Sequence, residues 1–339
     1  MRFEIGGIGR SSQGLLALPD YLCQTLSGML FRFFHQLALT SQTRGLPQAN
    51  WVRLRPWTAD SGLRLYPSLL WLKNETEPDA PAHTGFGIDP DARMAELKAF
   101  AEALESLTLR RTRSSAGSRT GMAAHGTVAA ARTTATLELL ERDAFLFHWM
   151  TGRPGESVPA PGRWKSVALQ ARAKEVSVVL VGRRSDHGCW LLGMGASRNR
   201  ETASQKALLE AEAAAWRHDW LGGCGPIRPG DEQAQHHRHS TETPVSARIQ
   251  EILNGGSSSV DRRADRSLED WEASVTTQVL ARYERRGRGE LVVVRCSSAE
   301  LMPLEFGMSF SAAYTNYRAQ LLSEDPGLTL LPQLPHPFD

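Results

Sequence analysis

The chain has no C-x-x-C pair, and its four cysteines, Cys23, Cys189, Cys224 and Cys296, lie far apart. That spacing offers neither a zinc site nor a disulfide framework, so a reduced cytoplasmic protein is the expectation. No apolar run approaches the ~20 residues that a membrane helix needs. The longest early one, GMLFRFFHQLAL, is broken by Arg32 and His35 and reads as an amphipathic helix near residues 20–40. The opening MRFEIGGIGR has no apolar signal core. Neither charge sign dominates: Lys and Arg number 39, Asp and Glu 37, for a net charge of +2. Nothing there asks for nucleic acid or a membrane surface. There is no G-x-x-x-x-G-K-[ST], which excludes a P-loop.

What is present is ordinary in bulk, with 41% hydrophobic and 22% charged residues in a length of 339. This suits one large domain or two small ones. LRLYPSLLWLK (63–73) reads as a strand interrupted at Pro67. A Pro/Gly-rich connection (78–88) leads to a helix with Asp89 as N-cap, Pro90 at its first position, and Met94, Leu97, Ala101 and Leu104 on its apolar face. A Ser/Gly/Arg loop (111–121) precedes a helix over 128–149. EVSVVLVG and CWLLGMGAS read as strands paired across RRSDHG, followed by a helix over 200–219. The stretch 222–266 reads as a flexible insertion with a short helix near 245–254, and its His236, His237 and His239 as a solvated loop rather than a metal site. A helix over 268–285, the strand ELVVVRCS and a proline-spaced tail complete the order. The mixture lacks clean βαβ alternation, so the fold class is α+β.

Two helices carry Glu-x-x-Glu, Glu102 with Glu105 and Glu138 with Glu141, the second followed by Arg142. Residues three apart share a helix face. The second pair falls among Leu137, Phe145 and Trp149, where carboxylates are costly unless something positive neutralises them. Arg142 suits one, and a divalent cation on a polyphosphate suits both. Lys206 and Glu210 are spaced for a helix salt bridge, and Ser118 reads equally as a turn serine or a phosphate contact. Arg295 and His336 are weaker candidates still.

From about residue 84 onward the chain resembles the YcaO superfamily. GFGIDPDARMAELKAFAEALES is similar to the family's segment with E-x-x-E-R. SRTGMAAHGTVAAARTTATLELLERDAFLFHW is similar to its S-x-G-x-A-A-G … E-x-x-E-R-D-A segment. GMGASRNRETASQKALLEAEAA resembles the one ending R-A-L-x-E-A-x-Q, and LPHPFD its P-x-P-x-P terminus. The resemblance implies a YcaO-type fold, with mixed sheets and packed helices around an ATP/Mg2+ site. It implies residues 1–83 as a weakly matched N-terminal segment and 84–339 as the catalytic domain. Glu102, Glu105, Ser118, Glu138, Glu141, Arg142, Lys206 and Glu210 would bind the cofactor, with Glu105, Glu138, Glu141 and Glu210 on metal. Pro335 and Pro337 would place the tail at the catalytic centre.

The implied reaction is ATP-dependent cyclodehydration of Cys, Ser or Thr in a ribosomal precursor peptide, giving an azoline. The implied partners are that peptide, an E1-like docking protein and a flavin-dependent azoline dehydrogenase. The chain departs from the pattern at Ser106, Gly126, Ala130, Ala213 and Asp339, where Arg, Asn, Glu, Gln and Pro are expected. These departures keep two alternatives open. One is a non-catalytic scaffold subunit, and the other is thioamide or amidine formation.

Overall fold

The computed structural model describes residues 48–73, 83–112, 120–220, 243–256, 266–285, 289–302 and 312–332, with 334, 336 and 337. The helix expected at 20–40, Ser118, the three loop histidines, Pro335 and Asp339 lie outside them. Three antiparallel sheets are present among the described residues. In the first, β3 (Arg64–Lys73) is flanked by β1 (Gln48–Arg53) and β4 (His83–Asp89), with β2 (Trp57–Thr58) adding a short rung. The second runs β10 (Thr276–Arg285), β11 (Gly289–Ser297), β5 (Met122–His125). The third is a meander of β6 (Glu156–Val158), β7 (Lys165–Leu169), β8 (Ser177–Arg184) and β9 (Trp190–Ser197). The helices are α1 (Ala92–Arg111), α2 (Val128–Thr151), α3 (Arg200–Trp220), α4 (Thr243–Leu253), α5 (Leu268–Ser274) and α6 (Ala312–Glu324).

The architecture is α+β, as expected, and the β8–β9 hairpin, α2, α3 and α4 fall where the sequence placed them. Other expectations are corrected. Pro67 does not interrupt its strand but sits opposite Ile88 within the β3–β4 ladder. The second half of the expected connection before α1 is itself a strand, β4, which pairs with β3. The helix expected over 268–285 ends at Ser274. The β-branched run Val275-Thr276-Thr277 opens β10, which pairs along β11. Cys189 is disulfide-bonded, against the expectation of dispersed reduced thiols, and its partner lies outside the described residues.

The apolar face of α1 also differs from expectation. Met94 and Leu97 are exposed, while Ala95, Ala99 and Ala103 are fully buried. The reason is a close approach. A Cβ on Gly85 would stand 1.9 Å from the Ala99 carbonyl oxygen, and one on Gly87 1.9 Å from that of Ala95. Glycines on the strand and alanines on the helix let two backbones touch, so the buried face is set by smallness rather than by hydrophobicity. The N-cap is Asp91, which accepts from the Arg93 and Met94 amides; Asp89 instead pairs with Lys98 at 2.8 Å.

The same unit recurs as β9–α3. A Cβ on Gly193 would lie 2.3 Å from the Ala207 oxygen, and one on Gly195 2.4 Å from that of Ala203. Between the glycines, Phe86 and Met194 each donate an amide to a glutamate sixteen residues on, Glu102 and Glu210, both at 2.8 Å. Lys98 and Lys206 each reach the carbonyl ten residues back, on Ile88 and Ala196. β4–α1 and β9–α3 are therefore a structural repeat that pairs α1 with α3. Glu212, fully buried, ties α3 to both flanking regions by accepting from the Ser61 amide and the Trp164 indole, each at 3.0 Å.

The main core surrounds α2, whose residues from Leu139 to Met150 are buried on nearly every side except Arg142.

Candidate active site

β4, β5 and β9 are each paired along one edge only among the described strands. Such an edge presents unpaired amides. Here helices supply the acceptors, and the acceptors are the glutamates singled out in the sequence. Glu102 of α1 takes the Phe86 amide of β4, and Glu210 of α3 the Met194 amide of β9. Glu105 takes the Ala124 amide of β5 at 2.8 Å, and Glu138 of α2 the Gly121 amide just before β5 at 3.1 Å. Gly121 must be glycine. Its φ is 79°, and a Cβ there would stand 2.4 Å from the Cys296 carbonyl oxygen, while the Cys296 amide donates to the Gly121 carbonyl at 2.7 Å.

Around this line of carboxylates the cations gather. Arg142 stands 3.7 Å from Glu141 and 3.9 Å from Glu210. Burial pushes the Glu138 carboxyl up to about 7, against the opposing pull of Arg142. Glu141 is raised too, chiefly by burial, with Glu210 and Glu138 adding repulsion and Arg142 and Lys206 opposing it. Glu138, Glu141, Arg142, Lys206 and Glu210 thus share one electrostatic environment although they come from two helices. Glu105 is held on β5 and Glu102 on β4. Lys206 rests on a backbone carbonyl, as its repeat counterpart Lys98 does. Pro337 is buried, and the nearby Leu334 carbonyl accepts from the Trp149 indole of α2.

The next residue along α2 was quoted in the motif without a role. Asp143 is fully buried, accepts a short hydrogen bond from the Tyr317 hydroxyl of α6, and lies 3.7 Å from Arg172. Arg172 in turn grips both oxygens of Glu324 at 2.7 Å. This network fixes the turn that carries Glu141 and Arg142. The only signal in the sequence was an aspartate followed directly by Ala144 and Phe145, where a solvated residue would be out of place. The departures are also informative. Gly126 is exposed with nothing within 4 Å of a would-be Cβ, so the space of the expected asparagine is open. Ala213 packs instead with Ile88 and Trp216 in an apolar cluster.

Residues 108–181 match the family model described as YcaO cyclodehydratase, ATP- and Mg2+-binding. The chain superposes on the structure of YcaO from Methanopyrus kandleri bound with AMPPCP and Mg2+, with a TM-score of 0.53 at 13% identity, covering 92% of this chain and 95% of that one. Segment and fold are thus similar to those of YcaO proteins. The chain also superposes on the E. coli Microcin synthetase McbBCD complex (TM-score 0.54, 11% identity, 78% of this chain and 91% of that) and on a heterocyclase in complex with substrate and cofactor (TM-score 0.56, 12% identity, 85% and 54%). No curated protein sequence matches. The matched YcaO segment contains Glu138, Glu141 and Arg142; Glu102, Glu105, Lys206 and Glu210 lie outside it.

Among the described residues, no three His, Cys, Asp or Glu side chains are arranged to cage one metal ion. Mg2+ does not need such a cage, since it keeps waters and commonly uses one or two carboxylates together with substrate phosphates. The donors here are all oxygen, and one oxygen of Glu105, Glu138 and Glu210 is already fixed by a backbone amide. The set fits a hard cation bound jointly with a polyphosphate.

Proposed function

We propose that this YcaO-like protein couples ATP to cyclodehydration of a ribosomally made peptide. The observation that carries the reading is the meeting of Glu138, Glu141 and Glu210 around Arg142, at 3.7 and 3.9 Å, on a glutamate-capped strand edge. Glu105, Glu138, Glu141 and Glu210 would hold Mg2+, with Glu102 and Ser118 completing the nucleotide contacts. When bound, the metal would neutralise charge on the transferring phosphoryl group. Arg142 would meet phosphate oxygens as a fork and Lys206 as a point charge.

The γ-phosphoryl group goes to the oxygen of the peptide amide. The thiol or hydroxyl of the adjoining Cys, Ser or Thr bonds to the same carbon, and the oxygen departs with phosphate. The side-chain and amide protons are released, leaving an azoline, ADP and inorganic phosphate. Pro335 and Pro337 hold the tail where the peptide reacts; proline moves no proton, so their role is positional. The peptide is delivered by an E1-like docking partner, and a flavin-dependent dehydrogenase then oxidises the azoline. The setting is cytoplasmic, and no helix among the described residues is long and apolar enough to cross a membrane.

Open space at Gly126, together with Ala130, favours a second reading, a scaffold subunit that binds no nucleotide. Titration of the protein with ATP at millimolar Mg2+, followed by mass spectrometry of a Cys/Ser-containing precursor peptide incubated with chain and docking partner, separates the two. A loss of about 18 Da per modified site, absent with Glu141→Ala, supports the enzyme. A gain of about 16 Da instead marks oxygen-to-sulfur exchange. No nucleotide binding and no mass change would leave only the scaffold.

A further inference from the structure

α4 lies in the stretch that the sequence marked as a flexible insertion, yet it is pinned to the core. Val245, Ile249, Ile252 and Leu253 are 3% exposed or less and join the cluster around α2. Within this buried helix stands an arginine, Arg248, only 6% exposed. A guanidinium taken out of water needs acceptors to offset the lost hydration. Arg248 finds one in the C-terminal tail, the Pro332 carbonyl at 3.0 Å, and its ζ-carbon stands 5.1 Å over the Trp149 ring.

The same Trp149 donates its indole N–H to the Leu334 carbonyl at 3.1 Å. Arg318 of α6 donates to the Leu331 carbonyl at 3.1 Å, and the Leu331 amide to the Met150 carbonyl at 2.7 Å. At Gly152, where φ is 66°, a Cβ would meet Leu331 Cδ1 at 2.4 Å, so the helix end is cut away to seat that leucine.

These contacts seat the tail on the C-terminal end of α2: Leu331 meets Met150 and Gly152, and Leu334 meets Trp149. The same helix carries Glu138 and Glu141. His336 and Pro337 are buried. Arg248 is thus a strap across the tail where it meets the helix that carries the carboxylates.

We propose that Arg248 is a positioning residue: through the Pro332 carbonyl and the Trp149 ring, it holds the C-terminal tail in register with the carboxylate site. The inference rests on the functional reading above for its catalytic consequence and on the contacts alone for the strap. Two measurements on the full chain separate these. Hydrogen exchange of the Arg248→Ala variant should speed the tail amides about tenfold or more while α2 stays protected, and Arg248→Lys, which keeps a cationic donor, should recover part of the protection. Phosphate release from ATP with Mg2+ should show kcat reduced about tenfold with the nucleotide Kd within about twofold. In a Pro337→Ala background, the same substitution should add little, because both act through one tail.

Unchanged tail exchange in Arg248→Ala would overturn the strap. A full further loss of kcat in the Pro337→Ala background would overturn the positioning role, as would a weakened nucleotide Kd. Should wild-type protein release no phosphate, the functional reading fails, and with it the catalytic half of the inference; the exchange result still decides the strap. If Arg248→Ala does not fold, the comparison of Arg248→Lys and Arg318→Ala with wild type in the exchange measurement takes its place, with the same outcomes.

Discussion

The carboxylate site should make the ligand-free protein less stable as the pH rises. Burial raises Glu138 from 4.5 to about 7 and shifts Glu141 in the same direction. Below about pH 4.5 both are protonated, folded or unfolded, and impose no penalty. As the pH rises, the unfolded chain ionises first while the folded carboxyls hold their protons, so stability falls until they too ionise. For Glu138, full ionisation would correspond to a loss of about 3 kcal/mol. The side chain keeps some solvent contact, which discounts this to about 1–2 kcal/mol. Glu141, 8% exposed, adds to it. At roughly 2 °C per kcal/mol for a chain of this size, the unfolding midpoint should drop by a few degrees between about pH 5 and 8. Calorimetry of wild type beside Glu138→Gln and Glu141→Gln isolates the effect, because the variants cannot ionise there and should decline less. ATP with Mg2+ should stabilise increasingly with pH, since the site binds it deprotonated. A wild-type midpoint independent of pH, or an equal decline in both variants, would refute the reasoning.

Gly193→Ala should destabilise the protein by about 2–4 kcal/mol in denaturant titration, because its Cβ meets α3 backbone, whereas Gly126→Ala should change it by less than about 0.5 kcal/mol. Gly126→Asn combined with Ala130→Glu should tighten binding of ATP with Mg2+ about tenfold by calorimetric titration, if the open position limits affinity. Tyr317→Phe leaves the buried Asp143 without its hydroxyl donor and should lower stability by about 1–3 kcal/mol; Asp143→Ala should lower it further by leaving the Tyr317 hydroxyl without its acceptor and Arg172 with Glu324 as its remaining carboxylate.

Much of the site was legible because its chemistry is local to single helices. Glu-x-x-Glu spacing and the adjoining Arg142 can be read without coordinates, and so could the β8–β9 hairpin, whose strands are β-branched or apolar on both sides of a polar turn. What was not legible depends on partners distant in sequence. β10 looked helical because Val279-Leu280-Ala281-Arg282 has no strong breaker, and its strand state comes from pairing with β11. Met94 and Leu97 looked like a core stripe, yet the face of α1 is chosen by Gly85 and Gly87 on another element. Arg248 gave no signal at all, since its acceptor is a carbonyl in the tail.

The absence of a P-loop follows from how the edges are used. In a P-loop, free backbone amides at a strand end and helix start point at the phosphates. Here the amides of Phe86, Gly121, Ala124 and Met194 are occupied by glutamate oxygens. An edge capped this way offers negative rather than positive potential, and a bare polyphosphate would be repelled. Attraction has to be restored by cations, of which the protein brings Arg142 and Lys206 to the cluster, two against the charge of Glu138, Glu141 and Glu210. The balance is left to divalent metal. On the proposed function the glutamates would do two things at once: close three sheet edges that would otherwise invite mispairing, and make nucleotide binding depend on Mg2+. Replacing Glu210 by Gln keeps an acceptor for the Met194 amide while removing the charge. It should leave the fold intact and weaken dependence on Mg2+, whereas Glu210→Ala should loosen β9 as well. Titrating nucleotide affinity against Mg2+ concentration in both variants distinguishes the two tasks; equal behaviour would mean that the carboxylate serves the edge alone.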